Sequence, residues 1–594
     1  AAIVASRVSG TRFASCDFLA SIKAGSPIVG GPSASAATAA AFAAALLDLP
    51  LRSDVVLTGM VMPDGSVAPV GGLRLKLEAA AKAGARVFLV PYGQTKYTET
   101  VTVPRTVGPV TIYTTETVVV DLVSYGRELG VEVVPVATVH EALKILTSGR
   151  YVPPEPAERT ATIYNITVLE RRVRSWSEAL RARVLEAVES GDSIKESAMS
   201  SLPRPLRASL ESIVKDIESE VHRLLNRADG LYEQRYLYSA ASTYFQVLIN
   251  SLWRLYLLKG LESTETLNAI GRGIESRVKD VVRLVHDRFA ASGTLCLQSL
   301  DVAIATLSRA YEALLYLNKS TSESRIDRLT YYLAVAESRA ITAELWSLLL
   351  LEDSESGACC TLDPKYLEYS TVVVENLVYN IYAYVISFQE RIRVPTATYS
   401  EMVTRVELME RSAIPLDRLS LGVDALAYGY ATLVSMFTQD VNSTIAALGR
   451  AIGMELGLEP LRDCTPISLV LYLELAATQN ESAISKIYTL TRVSALASFY
   501  ADSLRERSEY EAPRAGGQVS SDEEKRGGDV VSERTVTAYR TITQSSTLVE
   551  PVLYLGIGTL IGLLLTAIIT TARTPKKTRT ATNSHTNPQH PTEQ

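Results

Sequence analysis

The chain of 594 residues has few cysteines and few histidines. Its cysteines are Cys16, Cys296, Cys359, Cys360 and Cys464. None stands in a Cys-x-x-Cys pair, so no zinc site is predicted. Its histidines are His140, His222, His286, His585 and His590. None has a catalytic context, which disfavours a Ser-His-Asp triad. We therefore predict neither a metal nor a cofactor.

The sequence gives no sign of nucleotide binding or of nucleic-acid binding. No G-x-x-x-x-G-K-[ST] phosphate loop occurs anywhere in the sequence, so the chain shows no nucleotide-binding motif. The net charge of −6 gives no reason to expect a nucleic-acid partner. The adjacent Cys359 and Cys360 leave two possibilities open. In an oxidising compartment, one of these two cysteines could form a disulfide with Cys296 or Cys464. Otherwise the thiols could stay free or buried.

What the sequence does contain is a serine and a lysine that each stand near a helix start. Gly31-Pro32-Ser33 opens an alanine-rich helix, and Gly71-Gly72-Leu73-Arg74-Leu75-Lys76 opens another. A serine and a lysine can form a nucleophile and its base if the fold brings them together. Burial and the positive end of a helix dipole would both lower the pKa of Lys76, as a base requires. Free N–H groups beside Ser33 could hold an oxyanion.

This stretch resembles the proteolytic domain of Lon proteases, which are Ser-Lys peptidases. The family has a Gly-Pro-Ser motif, a strand ending in Thr-Gly and a Gly-Gly-Leu-x-x-Lys motif. Here these provide Ser33, Thr58 and Lys76, with the lysine 43 positions after the serine. The resemblance covers about residues 1–150. It implies that Ser33 is the nucleophile, that Lys76 is the base and that Thr58 positions Lys76.

The resemblance further implies an oxyanion and substrate loop. This loop would consist of Gly31, Pro32 and Ala34. Three positions depart from the common Lon pattern. They are Gly30 in place of Asp, Ser35 in place of Gly and Met60 in place of Glu. These departures leave the dyad intact but bear on substrate preference and loop conformation. Taken singly, Ser33 could be an ordinary first-turn residue and Lys76 a solvated surface side chain.

Residues 1–150 alternate strand and helix patterns, which predicts an α/β domain of the Lon type. The predicted strands are Ser15–Lys23, Asp54–Met62, Ser66–Pro69, Arg86–Pro91, Val110–Tyr113 and Val131–Val136. The predicted helices are Ser33–Leu47, Leu73–Ala83, Thr117–Leu129 and Val139–Leu146. Tyr97–Val107 is interpreted as an inserted surface loop. Because few residues precede Ser33, we expect the domain to be truncated at its N-terminus, with residues 1–8 the end of a helix.

The remainder divides by composition. Residues 151–166 form a proline-rich linker, and residues 167–510 predict a large all-α domain, either a bundle or an irregular solenoid. Residues 511–549 are a polar, flexible stalk. Residues 550–572 include 22 uncharged positions from Pro551 to Ala572, long enough for a transmembrane helix. Residues 573–594 are a basic, disordered tail.

The basic tail predicts a single-pass protein of the cell membrane. The positive-inside rule places this tail in the cytoplasm and the protease and helical domains outside. Four N-x-[ST] sequons agree weakly with export, as possible glycosylation sites. They begin at Asn165, Asn318, Asn442 and Asn480.

These observations predict a membrane-anchored serine endopeptidase. Without an ATPase it would be ATP-independent and would cleave unfolded or loosely structured polypeptides. It resembles the C-terminally anchored, Lon-like proteins of archaea. Its expected partners are polypeptide substrates and membrane lipid, and Lon domains tend to form rings, so a homo-oligomer is expected. The alternative is a surface scaffold built on the helical domain, with a relic or self-processing Lon-like domain.

Overall fold

A computed structural model of the protein describes most of the chain up to residue 507. The described residues are 1–21, 32–107, 110–155, 166–291, 295–352, 360–362, 365–392, 397–438, 440–457, 461, 464–479 and 482–507. The predicted stalk, transmembrane helix and basic tail lie outside these residues, as do the sequons that begin at Asn165 and Asn480.

The N-terminal domain is α/β, as predicted. Its helices are α1 (Ala2–Ser9), α2 (Ser35–Leu46), α3 (Leu73–Lys82), α4 (Leu122–Glu128) and α5 (Val139–Leu146). Its strands are β1 (Val55–Leu57), β2 (Met60–Val61), β3 (Val67–Ala68), β4 (Val87–Pro91), β5 (Lys96–Val107), β6 (Val110–Asp121) and β7 (Glu132–Val136). β4 is the centre of a parallel sheet, with β1 on one side and β7 on the other.

Helices cover both faces of this sheet. Val87 and Leu89 of β4 pack into the hydrophobic cluster of α2 and α5. The alternate residues Phe88 and Val90 pack into the cluster of α3 and α4. A parallel strand buried on both faces needs apolar residues at every position, which explains the uninterrupted run in β4. The alanines of α2 let that helix approach the sheet closely.

The predicted strand Asp54–Met62 is two strands. β1 belongs to the parallel sheet, whereas β2 pairs with β3 in an antiparallel ribbon. The chain changes partner at Thr58 and Gly59. A Cβ atom on Gly59 would lie 2.3 Å from Cγ1 of Val67, so this crossing requires glycine.

The largest error concerns the segment between β4 and α4. Tyr97–Val107, interpreted as a loop, is strand β5, and it pairs with β6 in one long hairpin from Lys96↔Asp121 to Val107↔Val110. The predicted helix Thr117–Leu129 is therefore wrong over its first residues. β-branched residues favour the pleated strand there. The helix begins only at Leu122. Asp121 is its N-cap, because the Asp121 side chain accepts the N–H of Ser124 at 3.0 Å.

The predicted strand Ser15–Lys23 is also wrong in its described part. Phe13–Ser15 form a short 3₁₀ turn, and no strand follows up to residue 21. Aromatic contacts hold this segment instead. Phe18 lies between Phe13 and Phe42, with ring centroids 5.8 and 5.1 Å apart. The helix expected at the start of the chain is present as α1.

In its described residues the helical domain is all-α apart from one short ribbon. Its helices are α6 (Ile166–Ser200), α7 (Arg204–Glu233), α8 (Leu237–Glu262), α9 (Thr264–Ala291), α10 (Leu297–Ser322), α11 (Ile326–Glu352), α12 (Lys365–Ile392), α13 (Ala397–Arg411), α14 (Pro415–Phe437), α15 (Val441–Gly457), α16 (Ile467–Thr478) and α17 (Ala483–Arg507). The ribbon pairs β8 (Leu295–Cys296) with β9 (Thr361–Leu362). Within the described part of the chain, α14 is the one helix long and apolar enough to cross a membrane. However, 83% of its most apolar stretch is buried in this core.

Disulfides join parts of the helical domain. Cys360 is bonded to Cys464, and Cys296 is also disulfide-bonded. Of the two possibilities left open by the sequence, the structure thus shows bridging. Cys16, in the N-terminal domain, carries a free thiol. Cys359 lies outside the described residues.

A buried arginine joins the two domains. The Arg7 side chain, on α1, is 2% exposed and forms ion pairs with Glu455 of α15 at 3.0 Å and Asp502 of α17 at 2.6 Å. It also donates to the backbone carbonyl of Pro63 in the N-terminal domain. A second ion pair, Glu141 with Arg450 at 3.3 Å, links α5 to α15. The helical domain is therefore packed onto the α/β domain.

We predict that Arg7→Leu destabilises the protein by about 3–5 kcal/mol, because Glu455 would keep a buried charge without its partner. Thermal unfolding followed by circular dichroism measures this. The matched control is Arg183→Leu, which breaks an exposed ion pair with Glu186 and should cost at most about 1 kcal/mol. Equal effects of the two substitutions would contradict the proposed role of Arg7.

Candidate active site

Ser33 lies in a short 3₁₀ turn, Pro32–Ala34, that leads directly into α2. Its side chain is half-buried and Ala34 is exposed. The carbonyl oxygen of Ser33 accepts the N–H of Gly59 at 2.9 Å and the hydroxyl of Thr58 at 3.4 Å. The turn that carries the serine is thus fastened to the end of β1.

Two further hydrogen bonds continue this attachment. The N–H of Ala36 donates to the carbonyl of Gly59 at 3.2 Å. The N–H of Val61 donates to the hydroxyl of Ser35 at 2.9 Å. Ser35 is one of the departures from the common Lon pattern, and its side chain here fixes β2 against the start of α2. Met60, another departure, is buried in the core, and Gly30 lies outside the described residues.

Lys76 lies in the first turn of α3. The helix begins after Gly72, whose φ of 67° is left-handed and suits glycine, and the N–H of Lys76 bonds to its carbonyl at 3.1 Å. The side chain is half-buried, and this burial lowers the pKa of Lys76. Within the described residues the ammonium has no hydrogen bond and no ion pair to oppose that shift. A neutral amine is therefore more accessible here than on an exposed lysine.

Two side chains that the sequence did not single out hold this helix start. Gln94 is buried and forms two hydrogen bonds with the backbone of Val70, at 2.8 and 2.9 Å. The hydroxyl of Tyr97 accepts the N–H of Arg74 at 3.0 Å, which satisfies one of the free donors of the first turn. No local motif marks Gln94. Tyr97 begins the alternating strand pattern that was interpreted as a loop.

The structure brings Ser33 and Thr58 together, but Lys76 forms no hydrogen bond with either in the described part of the chain. The resemblance to Lon proteases implies that Thr58 positions Lys76, whereas the hydrogen bond observed from the Thr58 hydroxyl goes to the carbonyl oxygen of Ser33. Catalytic hydrogen bonds often tighten only when substrate binds. The roles of Ser33, Thr58 and Lys76 therefore stay predictions.

The predicted oxyanion loop is described only in part. Gly31 lies outside the described residues, whereas Pro32 and Ala34 form the 3₁₀ turn with Ser33. Among the described residues, no side chain caps the first turn of α2. The N–H groups near Ser33 that find no acceptor within the helix are the available donors for a developing oxyanion.

One histidine outside this site has a carboxylate partner. Nε2 of His286 lies 2.7 Å from Asp417, between α9 and α14. The hydroxyl of Ser412 contacts the other oxygen of Asp417 at 3.5 Å and not the imidazole. The order of contacts does not match a Ser-His-Asp triad, in which histidine lies in the middle.

Two of the four sequons lie on described helices. Asn318 is exposed in α10 and Asn442 is exposed in the first turn of α15. Their modification stays a prediction.

The N-terminal domain matches a known protease domain. Residues 7–119 match the Lon protease (S16) C-terminal proteolytic domain. The motifs around Ser33, Thr58 and Lys76 all fall inside this range. The match confirms the expected resemblance to Lon proteases over residues 7–119 of the 1–150 expected, and it does not extend into the helical domain.

Curated Lon proteases are similar over short stretches. Lon protease 1 of Hydrogenovibrio crunogenus is 48% identical over 62 residues, which is 10% of this chain and 8% of that protein. The archaeal Lon protease of Halobacterium salinarum is 43% identical over 70 residues, 12% of this chain and 10% of that protein. The Lon protease of Trichlorobacter lovleyi is 29% identical over 142 residues, 24% and 15% of the two chains. The chain thus spans only a small part of these relatives, and no solved structure matches it.

Proposed function

We propose that the protein is a membrane-anchored, ATP-independent serine endopeptidase that uses a Ser33–Lys76 dyad. The observation that carries the proposal is the burial of the Lys76 side chain, which lowers the pKa of its amine. Lys76 is a half-buried lysine with a lowered pKa and no anionic partner among the described residues, at a helix start in a domain that matches Lon proteases. An ordinary surface lysine would lack this combination.

In the proposed reaction the neutral amine of Lys76 takes the hydroxyl proton of Ser33 as the serine oxygen attacks the scissile carbonyl carbon. N–H groups at the start of α2 stabilise the oxyanion. The Lys76 ammonium then gives its proton to the leaving amine as the peptide bond breaks, leaving an acyl-serine. Water, activated by Lys76, hydrolyses that ester and restores Ser33. Thr58 positions the reacting groups.

The substrate class follows from what the chain itself offers. It has no phosphate-loop motif, and its second domain is helical rather than the alternating α/β arrangement of an ATPase. No unfolding engine is therefore evident in this chain. The proposed substrates are polypeptide segments that are already unfolded or loosely structured.

The proposed anchor is the uncharged segment from Pro551 to Ala572, with the basic tail inside and both domains outside. The disulfide between Cys360 and Cys464 supports this topology, because disulfides persist mainly in oxidising compartments. The exposed sequons at Asn318 and Asn442 are compatible with it.

Cleavage of an unfolded substrate tests the enzyme. The full chain in detergent should cleave fluorescently labelled casein without ATP. Ser33→Ala and Lys76→Ala should each lower the rate at least about 1,000-fold, because each removes a member of a unit that acts together. Lys82→Ala, at the far end of α3, is the matched control and should leave the rate unchanged. Full activity of either dyad variant would contradict the proposal. No cleavage by the folded wild type would favour a scaffold built on the helical domain.

Surface labelling tests the topology. On intact cells an impermeant amine reagent should modify Lys279, an exposed lysine of α9, but not Lys576 or Lys577 of the tail until the membrane is permeabilised. Alkaline carbonate should leave the full chain in the membrane pellet and release a chain that ends at Val549. Extraction of the full chain by carbonate would contradict the anchor.

A further inference from the structure

A cavity of about 360 Å³ lies inside the helical domain, apart from the candidate active site. Helices α8, α10, α11, α13, α14, α16 and α17 contribute its walls. The volume is within the roughly 300–1,000 Å³ range of small-molecule sites. Its lining is unusual because it holds buried arginines together with several tyrosines.

The central arginine of this cavity is Arg309. It is buried, and it donates to the carbonyl of Ala305 at 2.6 Å and to the hydroxyls of Tyr238 and Tyr472, each at 3.1 Å. Its guanidinium lies over the ring of Trp346 at 4.4 Å. Among the described residues no carboxylate pairs with it. Buried charges are normally paired, so this cation is an exception that calls for an anion.

The cavity also presents hydrogen-bond donors without acceptors. Tyr238 and Tyr472 accept from Arg309, so each still has its own hydroxyl proton to donate. No acceptor for either proton is found in the described part of the chain. The buried Nε of Arg492, on α17, has no hydrogen-bond partner there either. These donors surround the unpaired cation.

One arginine of the cavity wall has no carboxylate partner among the described residues. Three arginines and two glutamates line it: Arg309, Arg339, Arg492, Glu312 and Glu401. The other two arginines have carboxylate partners, Arg339 with Glu312 at 3.0 Å and Arg492 with Asp424 at 2.7 Å. Glu401 is paired with Lys319 at 3.1 Å and Arg405 at 2.7 Å. Counting these partners, five cations lie near three carboxylates, and Arg309 is the cation that has no carboxylate partner in the described part of the chain.

The positive charges around the cavity affect the pKa of Tyr472. Burial works to raise the pKa of its hydroxyl, but the charges of Arg309 and Arg492 outweigh burial, so the pKa is lowered. A hydroxyl in such a field is a stronger hydrogen-bond donor to an anion.

We propose that this cavity binds a carboxylate monoanion, held by Arg309 and the hydroxyls of Tyr238 and Tyr472. A carboxylate would give Arg309 the anionic partner that it lacks, whereas the dianion of a phosphate would face Glu312 and Glu401. The aromatic walls, including the stacked rings of Tyr428 and Tyr488 at 4.6 Å, would pack against the body of the ligand. The carboxylate could be the C-terminus of a short peptide or that of a free organic acid.

Calorimetric titration of the full chain in detergent tests this, with Ser33→Ala present so that peptides are not cleaved. The probes are N-acetylated Ala-Ala-Phe with a free carboxylate, the same peptide as its amide, benzoate and inorganic phosphate. We expect the free-acid peptide or benzoate to bind and the amide and phosphate not to. Binding by benzoate alone would support the site and identify an organic acid as the source, whereas binding by the peptide alone would identify a peptide C-terminus.

Matched variants assign the binding to the cavity. Arg309→Gln should weaken the carboxylate affinity at least about tenfold, and Tyr472→Phe about three- to tenfold, because each removes a donor to a charged group. Arg283→Gln and Tyr236→Phe, both at exposed positions, are the controls and should bind like the parent. If Arg309→Gln does not fold, Tyr472→Phe decides. Equal binding of the amide, tighter binding of phosphate, unchanged affinity in the folded variants, or no binding of either carboxylate would overturn the proposal.

Discussion

The attachment of the Ser33 turn to Thr58 and Gly59 is the constraint on which the candidate active site depends. β1 must leave the parallel sheet at this point so that Gly59 can donate to Ser33 and accept from Ala36. Glycine is required because Val67 occupies the space of a side chain. The same crossing directs the chain into the β2–β3 ribbon, which precedes the Gly71-Gly72 turn and Lys76. One change of strand partner thus sets the position of both halves of the proposed dyad.

The helical domain packs against the part of the N-terminal domain that carries the candidate active site. Arg7 joins it to α1 through buried ion pairs, and a Cβ on Gly71 would lie 3.8 Å from the ring of Phe437 at the end of α14. A second close approach, of Gly93 to Ser443, is near Gln94, which holds the start of α3. The helical domain therefore lies against the turn that carries the proposed base. In the proposed enzyme it would restrict access to the site, which fits substrates that are already unfolded.

Much of the N-terminal domain could be predicted because its signals are local. The helix Val139–Leu146 has the predicted bounds and β4 begins one residue after the predicted start, since an amphipathic period and an apolar run each need only a few residues. The hairpin of β5 and β6 was missed because its stability comes from pairing across the turn. Ser33, Thr58 and Lys76 could be chosen from motif spacing, but Gln94 could not, because its partner, Val70, is known only from the fold. The unpaired charge of Arg309 likewise depends on the meeting of the seven helices that line the cavity.

The pH dependence of labelling at Ser33 tests the central claim, which is that a neutral Lys76 activates this serine. The full chain would react with a fluorophosphonate across a pH series, and mass spectrometry would follow modification of the Ser33 peptide. Because the amine is neutral only above its folded-state pKa, which burial lowers, the rate should rise with pH and reach half its maximum below the ordinary pKa of lysine. Lys76→Arg should abolish the rise, since a guanidinium stays protonated. A rate that does not depend on pH, or one that Lys76→Arg leaves unchanged, would contradict the account.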